Sequence, residues 1–473
     1  MTAATAPPKH RNDIRPWAVL AIVLIAEVMD LVDGTIVNVA APSIRADLGG
    51  SAATLQWLGA AYTLAFAILL ITGARLGDMF GRRLLFIVGI VGFTTASALC
   101  AAAPTTEVLI AARVAQGGFG ALLIPQGFGM LKEVFDEGEL TKAFALFGPV
   151  MGLSAIVSPI LGGVLTDGDL LGLGWRAIFL VNVPLGIAGL VGALRLMPHT
   201  TGTPGTRLDP VGVVLASFAS FAVIYPLVQG RELGWPLWCF GLFAAGLVGF
   251  AAFGAWERHH RDCALIEPSL LRNSAFTSGL LVAVCFFASM IGLNLLLSLF
   301  CQLGEHFSPL RTGLTLAPFA LGIAFTAPLS YPLAQRFGRR SMQVGFAVMG
   351  AGIALLALMV HGAGSDVSTW TLVPGEFVAG LGMGIALPPL FDFILAGVES
   401  HEVGSASGVL NAIQQFGGAL GIAVLATIFF AYVDGHSTPV TAMTQTALLS
   451  LIPLAFAFLA VFRLPHKARE EAT

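Results

Sequence analysis

Long apolar runs separated by short polar or Gly/Pro-rich breaks dominate this chain from residue 17 onward. A helix needs about 20 mostly apolar residues to cross the hydrocarbon of a bilayer. The chain divides into fourteen such runs, with approximate limits 17–41, 53–74, 84–103, 107–131, 141–165, 175–197, 209–229, 236–256, 275–303, 309–333, 341–361, 370–396, 404–430 and 442–463. The fold class that follows is an all-α polytopic membrane protein. The first run follows a polar leader and carries Glu27, Asp30 and Asp33. That pattern is wrong for a cleaved signal peptide and right for a retained first helix.

Composition agrees: 56% of residues are hydrophobic and 11% charged, too few charges to cover a water-soluble surface. The net charge of −3 points to no nucleic-acid partner. The five cysteines, Cys100, Cys239, Cys263, Cys285 and Cys301, are scattered and mostly in apolar runs, so they read as small buried hydrophobes rather than disulfides or metal ligands. Sidedness comes from Lys and Arg. With the amino terminus in the cytoplasm, nineteen basic residues fall on the cytoplasmic side. Arg45, Arg176, Arg231 and Arg311 fall outside, and Arg113 alone lies within a span. Such a bias is what the positive-inside rule requires of an even-numbered topology with both termini cytoplasmic. The expected location is the inner or plasma membrane.

The chain also repeats itself. GARLGDMFGRR (Gly73–Arg83) recurs in weaker form as SYPLAQRFGRR (Ser330–Arg340), and RVAQGGFGALLIPQ (Arg113–Gln126) recurs as EFVAGLGMGIALPP (Glu376–Pro389). The offsets are 257 and 263 residues, with Gly117 over Gly380 and Pro125 over Pro388. Spans two and four therefore correspond to spans ten and twelve. The domain organisation expected is a six-helix bundle over 1–198, two additional spans over 199–263, and a second six-helix bundle over 264–473. Repeated halves with a site between them are a common design for alternating access.

A carboxylate in hydrocarbon costs several kcal/mol unless paired, hydrated or protonated, about 3 kcal/mol on insertion scales. Glu27, Asp30 and Asp33 step by three residues and fan over about 120° of one helix face, with Asn38 continuing the stripe. That face is expected to look into an aqueous cavity. Counted from the outer ends of their spans, Asp33 lies roughly 12 Å deep and Arg113 roughly 9 Å deep. The two are level and are expected to pair, so that protonating the acid loosens the pair and biases one conformation. Glu376 sits at the position of Arg113 in the second half, as a cation contact or one member of a structural pair. Asp392, in the cytoplasmic half of the same span, either meets substrate or sits near the interface. Gly73, Gly77 and Gly81 allow close helix approach, while Asp78, Arg82 and Arg83 can bridge neighbouring helix ends as the cytoplasmic side opens and closes. Trp57, Tyr62, Gln126 and Gln302 are candidate substrate contacts, as is Asn38. Most polar residues of this kind are interhelical hydrogen bonds.

Four segments together resemble the fourteen-helix drug:proton antiporter family, the multidrug exporters of the major facilitator superfamily: MDLVDGTIVNVAAPSI (Met29–Ile44), QWLGAAYTLA (Gln56–Ala65) with Gly73–Arg83, LIAARVAQGGFGA (Leu109–Ala121), and the run from Gly148 to Gly163 with WRAIFLVNVPLG (Trp175–Gly186). The resemblance covers nearly the whole chain. It implies the major facilitator fold of two six-helix bundles plus two inserted helices. It also implies proton coupling through Asp33 and Arg113, an antiporter motif at Pro159, Gly162 and Gly163, and a recurrent glutamine at Gln302. Asp30 and Glu27 rest on the residues alone. Two departures stand out. The family motif usually reads Gly-Pro-x-x-Gly-Gly where this chain has Ser158, and Gln335 replaces the acid expected opposite Asp78.

No Gly-x-x-x-x-Gly-Lys-Ser/Thr loop occurs, so ATP is not the expected energy source, and no cofactor is expected beyond the proton gradient. No His-x-x-x-His or Gly-x-Ser-x-Gly constellation points to an enzyme. The expected function is a proton-coupled antiporter exporting hydrophobic or cationic drugs or antibiotics, acting as a monomer on a small-molecule substrate, protons and the lipid bilayer. Transport of an endogenous metabolite (a siderophore, lipid or secondary product) stands as an alternative, and a non-transporting receptor as another.

Overall fold

The computed structural model describes residues 16–169, 172–202, 208–259, 265–266, 268–395, 398 and 403–466. Of the basic residues assigned to the cytoplasmic side, Lys9, Arg11, Arg15, Arg207, Arg261, Lys467 and Arg469 lie outside this set, as do Cys263 and the boundary at 263/264.

The described secondary structure is helical. In chain order the long helices are α1 (Pro16–Leu48), α2 (Ala52–Phe80), α3 (Arg82–Ala102), α4 (Thr106–Val134), α5 (Glu137–Asp167), α6 (Gly174–Leu196), α7 (Pro210–Gln229) and α8 (Leu237–His259). After a five-residue turn of helix, Pro268–Arg272, come α9 (Ser274–Gly304), α10 (Pro309–Phe337), α11 (Arg340–Ala363), α12 (Thr369–Leu395), α13 (Val403–Asp434) and α14 (Pro439–Arg463). Among the described residues, twelve helical segments are long and apolar enough to cross a membrane, two fewer than the fourteen runs expected. The two outside this set, α1 and α5, are helices of 33 and 31 residues at the expected places. Glu27, Asp30, Asp33, Arg45 and Asp47 leave α1 no stretch of span length with fewer than three charged residues.

Local sequence sets the helix starts. α7, α10 and α14 each open on a capping residue followed by proline: Asp209–Pro210, Ser308–Pro309 and Thr438–Pro439. The cap side chains accept from the amides of Gly212 (2.9 Å), Arg311 (3.2 Å) and Thr441 (3.2 Å). Proline fits there because the first helical N–H has no partner to lose, and the cap satisfies the next free donor.

The internal repeat is written into the packing. A Cβ on Gly117 of α4 would stand 2.3 Å from the Tyr62 carbonyl oxygen of α2, and one on Gly380 of α12 would stand 2.0 Å from the Phe319 carbonyl oxygen of α10. Tyr62 and Phe319 are 257 residues apart, the same offset as the loop motif, so equivalent glycines let equivalent helix backbones touch. The two loop glycines behave alike. Gly81 (φ +96°) and Gly338 (φ +57°) both turn the chain in the region that glycine favours, against the carbonyl oxygens of Thr200 and His466, which lie just after α6 and α14. One arginine of each loop binds backbone at the end of the sixth helix of its own half, though not the equivalent one: Arg83, two residues after Gly81, donates to Leu194 O (2.6 Å), and Arg339, directly after Gly338, to Phe462 O (2.8 Å).

Between the halves, α2 packs on α13 and α5 on α10. Under the repeat these two seams exchange with one another. The pair α7–α8 packs together, and α7 lies against both α2 and α13, covering that seam. Among the described residues, the hydrogen bonds joining the halves run from Asn38 to Asn294 (3.5 Å), Ser298 to Asn38 O (2.6 Å), Gln302 to Val39 O (2.7 Å), Thr427 to Gln56 (3.2 Å) and the Leu310 amide to Asp167 (2.9 Å). All lie toward the end of the molecule that holds Arg45, opposite the Arg82 loop. The halves meet at that end.

Candidate functional site

The residue types that chemistry needs converge on the middle of the first bundle. Asp33 of α1 and Arg113 of α4 are both fully buried, and they form an ion pair through Arg113 Nη1 and Asp33 Oδ2. The other carboxylate oxygen, Oδ1, accepts from Gln116 Nε2 (2.8 Å) and Asn182 Nδ2 (2.7 Å). Both amides also donate to Ser97 Oγ, at 3.2 and 3.0 Å, and Ser97 in turn donates to Phe179 O (2.9 Å). Arg113 is held in place by donating to Leu58 O (3.1 Å) and Gln116 Oε1 (2.9 Å), with its guanidinium 4.3 Å from the centre of the Tyr62 ring. The Tyr62 hydroxyl donates to Asp30 Oδ1. One tyrosine therefore touches the arginine with its ring and the second acid with its hydroxyl. Charge-assisted bonds of this kind in a dry interior fix geometry firmly, and breaking one partner away is costly.

The depth expectation places Asp33 and Arg113 level, and the structure brings them together. It differs on hydration: Asp33 has no exposed surface and faces a closed polar network rather than an open cavity. Its carboxylate is taken up by donors from α4 (Arg113 and Gln116) and α6 (Asn182), with Ser97 of α3 accepting from the two amides behind them. Glu27 lies one turn below Asp30 and is 8% exposed, with Oε1 unpartnered among the described residues.

Sequence reasoning missed Gln116, Ser97 and Asn182. Gln116 stands one turn after Arg113 on the same helix face, and Asn182 is a lone amide in an apolar run, so both carried a signal. Ser158, the departure from the antiporter motif, donates to Val32 O (3.1 Å) and bonds the Thr35 hydroxyl (2.5 Å), so the hydroxyl ties α5 to α1 where a glycine would leave only contact. Its neighbours form the seam. Cβ atoms on Gly163 and Gly313 would stand 2.4 Å from Leu310 Cα and 2.2 Å from Pro159 O, and one on Gly162 would stand 2.9 Å from Ile36.

Other candidates lie apart from the Asp33 network. Gln126 donates to Gly73 O (2.8 Å) and Leu122 O (3.0 Å) and fills the space beside Gly77, so its amide joins α4 to α2. We expect Gln126→Leu to lower the melting temperature of the purified protein, through a loss of about 1 kcal/mol, and to leave the ranking of transported compounds unchanged. A change in ranking in a transport panel would show instead that Gln126 meets substrate. Asn38 and Gln302 serve the contact between halves described above. Trp57 donates to Gln229 Oε1 of α7 (3.3 Å). Glu376, 3% exposed, borders a small pocket with Asn294, Met290, Phe319 and Met349. Asp392 is exposed at the far end of α12 and has an interaction of its own. In the loop, Arg82 pairs with Asp78 (3.2 Å) and Glu133 (3.5 Å), contacts internal to the first bundle.

Solved structures show which class of protein folds this way. A bacterial homologue of a human lysosomal transporter, Spinster, solved inward-facing and unoccupied, superposes with a TM-score of 0.66 over 98% of this chain and 100% of its own, at 17% identity. A peptide transporter of the POT family in complex with sulfate gives a TM-score of 0.68 at 16% identity, covering 94% of this chain and 95% of that one. The chain shares its fold with these two transporters. The family is shown directly: the Major Facilitator Superfamily model matches residues 23–422, and the chain belongs to that superfamily. Relatives include a probable actinorhodin transporter of Streptomyces coelicolor, 47% identical over 92% of this chain and 76% of that protein. A puromycin resistance protein of Streptomyces alboniger is 37% identical over 94% and 89%. A tetracenomycin C resistance and export protein of Streptomyces glaucescens is 32% identical over 88% and 76%.

Proposed function

We propose that this chain is a proton-coupled antiporter that exports hydrophobic drugs or antibiotics, cationic ones among them, across the cell membrane by alternating access. The observation that carries the reading is the buried Asp33–Arg113 pair, set in a transporter fold with Gln116, Asn182 and Ser97 around it. An ionisable pair sealed inside a membrane bundle is costly to keep, and a coupling role explains its place. A proton arriving at Asp33 cancels its attraction for Arg113 and frees α1 and α4 to move relative to each other. Asp30, joined through Tyr62, is the second carrier, and Glu27 is the relay toward the Arg82 end. Glu376 and Asp392 in the second half are the acids offered to a cationic substrate.

With α1 and α5 counted as spans, the chain crosses fourteen times with both termini cytoplasmic, which the bias of Lys and Arg supports. The three relatives above are each named for a single compound, which favours a second reading: dedicated export of one antibiotic rather than a broad drug range. Purified protein in proteoliposomes, given an imposed pH gradient and a panel of dyes and antibiotics, tests both. Gradient-driven flux that collapses with a proton ionophore is expected; many compounds moved would favour multidrug export, and one would favour the dedicated reading. Flux indifferent to the gradient would overturn the coupling.

A further inference from the structure

A cavity of about 260 Å³ lies at the Arg45 end, between the ends of α1, α9 and α13 and the α7–α8 loop. We propose that it binds a small aromatic anion, a carboxylate or phenolate on one or two rings. Basic residues are scarce on this face, and two of the four assigned to it, Arg45 and Arg231, line this one cavity. The other two are occupied: Arg176 pairs with Asp47 at 2.7 Å, and Arg311 sits 3.6 Å from the centre of the Phe307 ring and donates to Thr369. Arg231 pairs with Asp434 and lies 5.3 Å from the centre of the Phe430 ring. Arg45 gives its Nε to Gly50 O at 3.2 Å, and among the described residues no carboxylate pairs with it.

Two guanidinia against one carboxylate leave the cavity with an excess of positive charge. Phe429 and Phe430, 2% and 5% exposed, supply flat apolar walls. Guanidinium forks suit planar carboxylates, and ring faces suit aromatic bodies. A cation would meet the same guanidinia as repulsion. The volume, just below the roughly 300 Å³ at which drug-sized sites begin, limits the ligand to one or two rings.

The site joins Arg45 of the first half to Phe429 and Asp434 of the second, and Arg231 comes from the inserted pair. A ligand bridging these elements binds the arrangement in which the halves meet at this end and so holds it. The inserted helices thereby gain a role, because without the α7–α8 loop the cavity loses one of its two cations.

Binding is measured on the resting full-length protein in nanodiscs, so its outcome does not depend on what the chain exports. Equilibrium dialysis compares 2-naphthoate with 2-naphthylmethanol and 2-naphthylmethylammonium. Saturable binding of the naphthoate alone is expected, weakened about tenfold by Arg45→Gln and largely kept by Arg45→Lys. Asp434→Asn, by removing the competing carboxylate, is expected to tighten naphthoate binding severalfold, a gain that loss of structure cannot produce. Equal non-saturable uptake of all three compounds, wild-type affinity in Arg45→Gln, or no tightening in Asp434→Asn would each overturn the proposal.

Discussion

Asp33→Asn is expected to abolish gradient-driven export, by at least about a hundredfold, a loss of about 2.7 kcal/mol or more in transition-state terms. An amide can neither take up nor release a proton at this position. It also disrupts the network: Asp33 accepts from Arg113 on one oxygen and from Gln116 and Asn182 on the other. Asparagine turns one of those acceptors into a donor facing a donor. Arg113, with no exposed surface, is then left without its counter-charge, a situation that typically costs about 3–5 kcal/mol. The nearby Tyr62 face offsets only part of this, cation–π contacts being worth about 2 kcal/mol when desolvated. Thermal unfolding in detergent should therefore show a marked drop for the single variant.

The double variant Asp33→Asn/Arg113→Leu removes both charges and should regain most of the lost stability while remaining inactive, because replacing a buried pair by apolar groups is often neutral. Export by Asp33→Asn at the wild-type rate, measured in proteoliposomes with a fixed pH gradient, would falsify the coupling role. A single variant as stable as wild type would instead show that the pair is hydrated in the protein's working state.

The contrast between α1 and its neighbours explains what the sequence discloses and what it hides. Helix positions were readable because a span has a fixed length and charged residues collect at its ends: the run predicted over 309–333 is the helix Pro309–Phe337, and that over 53–74 is Ala52–Phe80. Pairing of Asp33 with Arg113 was readable because charges inside the bilayer are few and depth is simple arithmetic. Rotation about each helix axis is another matter. In water an apolar stripe marks the buried face, but a membrane helix is apolar on both its lipid and its protein sides, so the pattern leaves azimuth undetermined. Gln126 illustrates the loss: a polar residue following Pro125 in the fourth span reads as a substrate contact, yet its amide turns to Gly73 of α2. Ser158 illustrates the reverse, a departure from a family pattern that the structure gives to a hydrogen bond with α1. The partner of Gly163 across the α5–α10 seam was unreadable for a further reason: the closest approaches there are to backbone, Gly163 against Leu310 and Gly313 against Pro159, and a glycine carries no side chain to signal what it touches.

That seam yields the second large effect. Gly163→Ala is expected to shift the protein away from the arrangement in which the halves meet at the Arg45 end. A methyl group there would lie 2.4 Å from Leu310 Cα and 2.7 Å from Pro309 O, both parts of the α10 backbone. Neither can swing aside as a side-chain tip could, so α5 and α10 must separate. Overpacking of this kind costs about 1–3 kcal/mol, enough to change the ratio of two conformers by roughly fivefold to somewhat over a hundredfold. Gly313→Ala should act alike, since its added carbon would lie 2.2 Å from Pro159 O across the same seam. Gly241→Ala, where nothing lies within 4 Å, serves as the control that should leave the ratio unchanged. The measurement is a distance distribution between spin labels on Ala46→Cys and Gly362→Cys, exposed positions on the two halves at this end, in a background without the native cysteines. A longer-distance population in the two seam variants is the expected result. If Gly163→Ala and Gly313→Ala keep the wild-type distribution, the α5·α10 seam is not where this transporter closes.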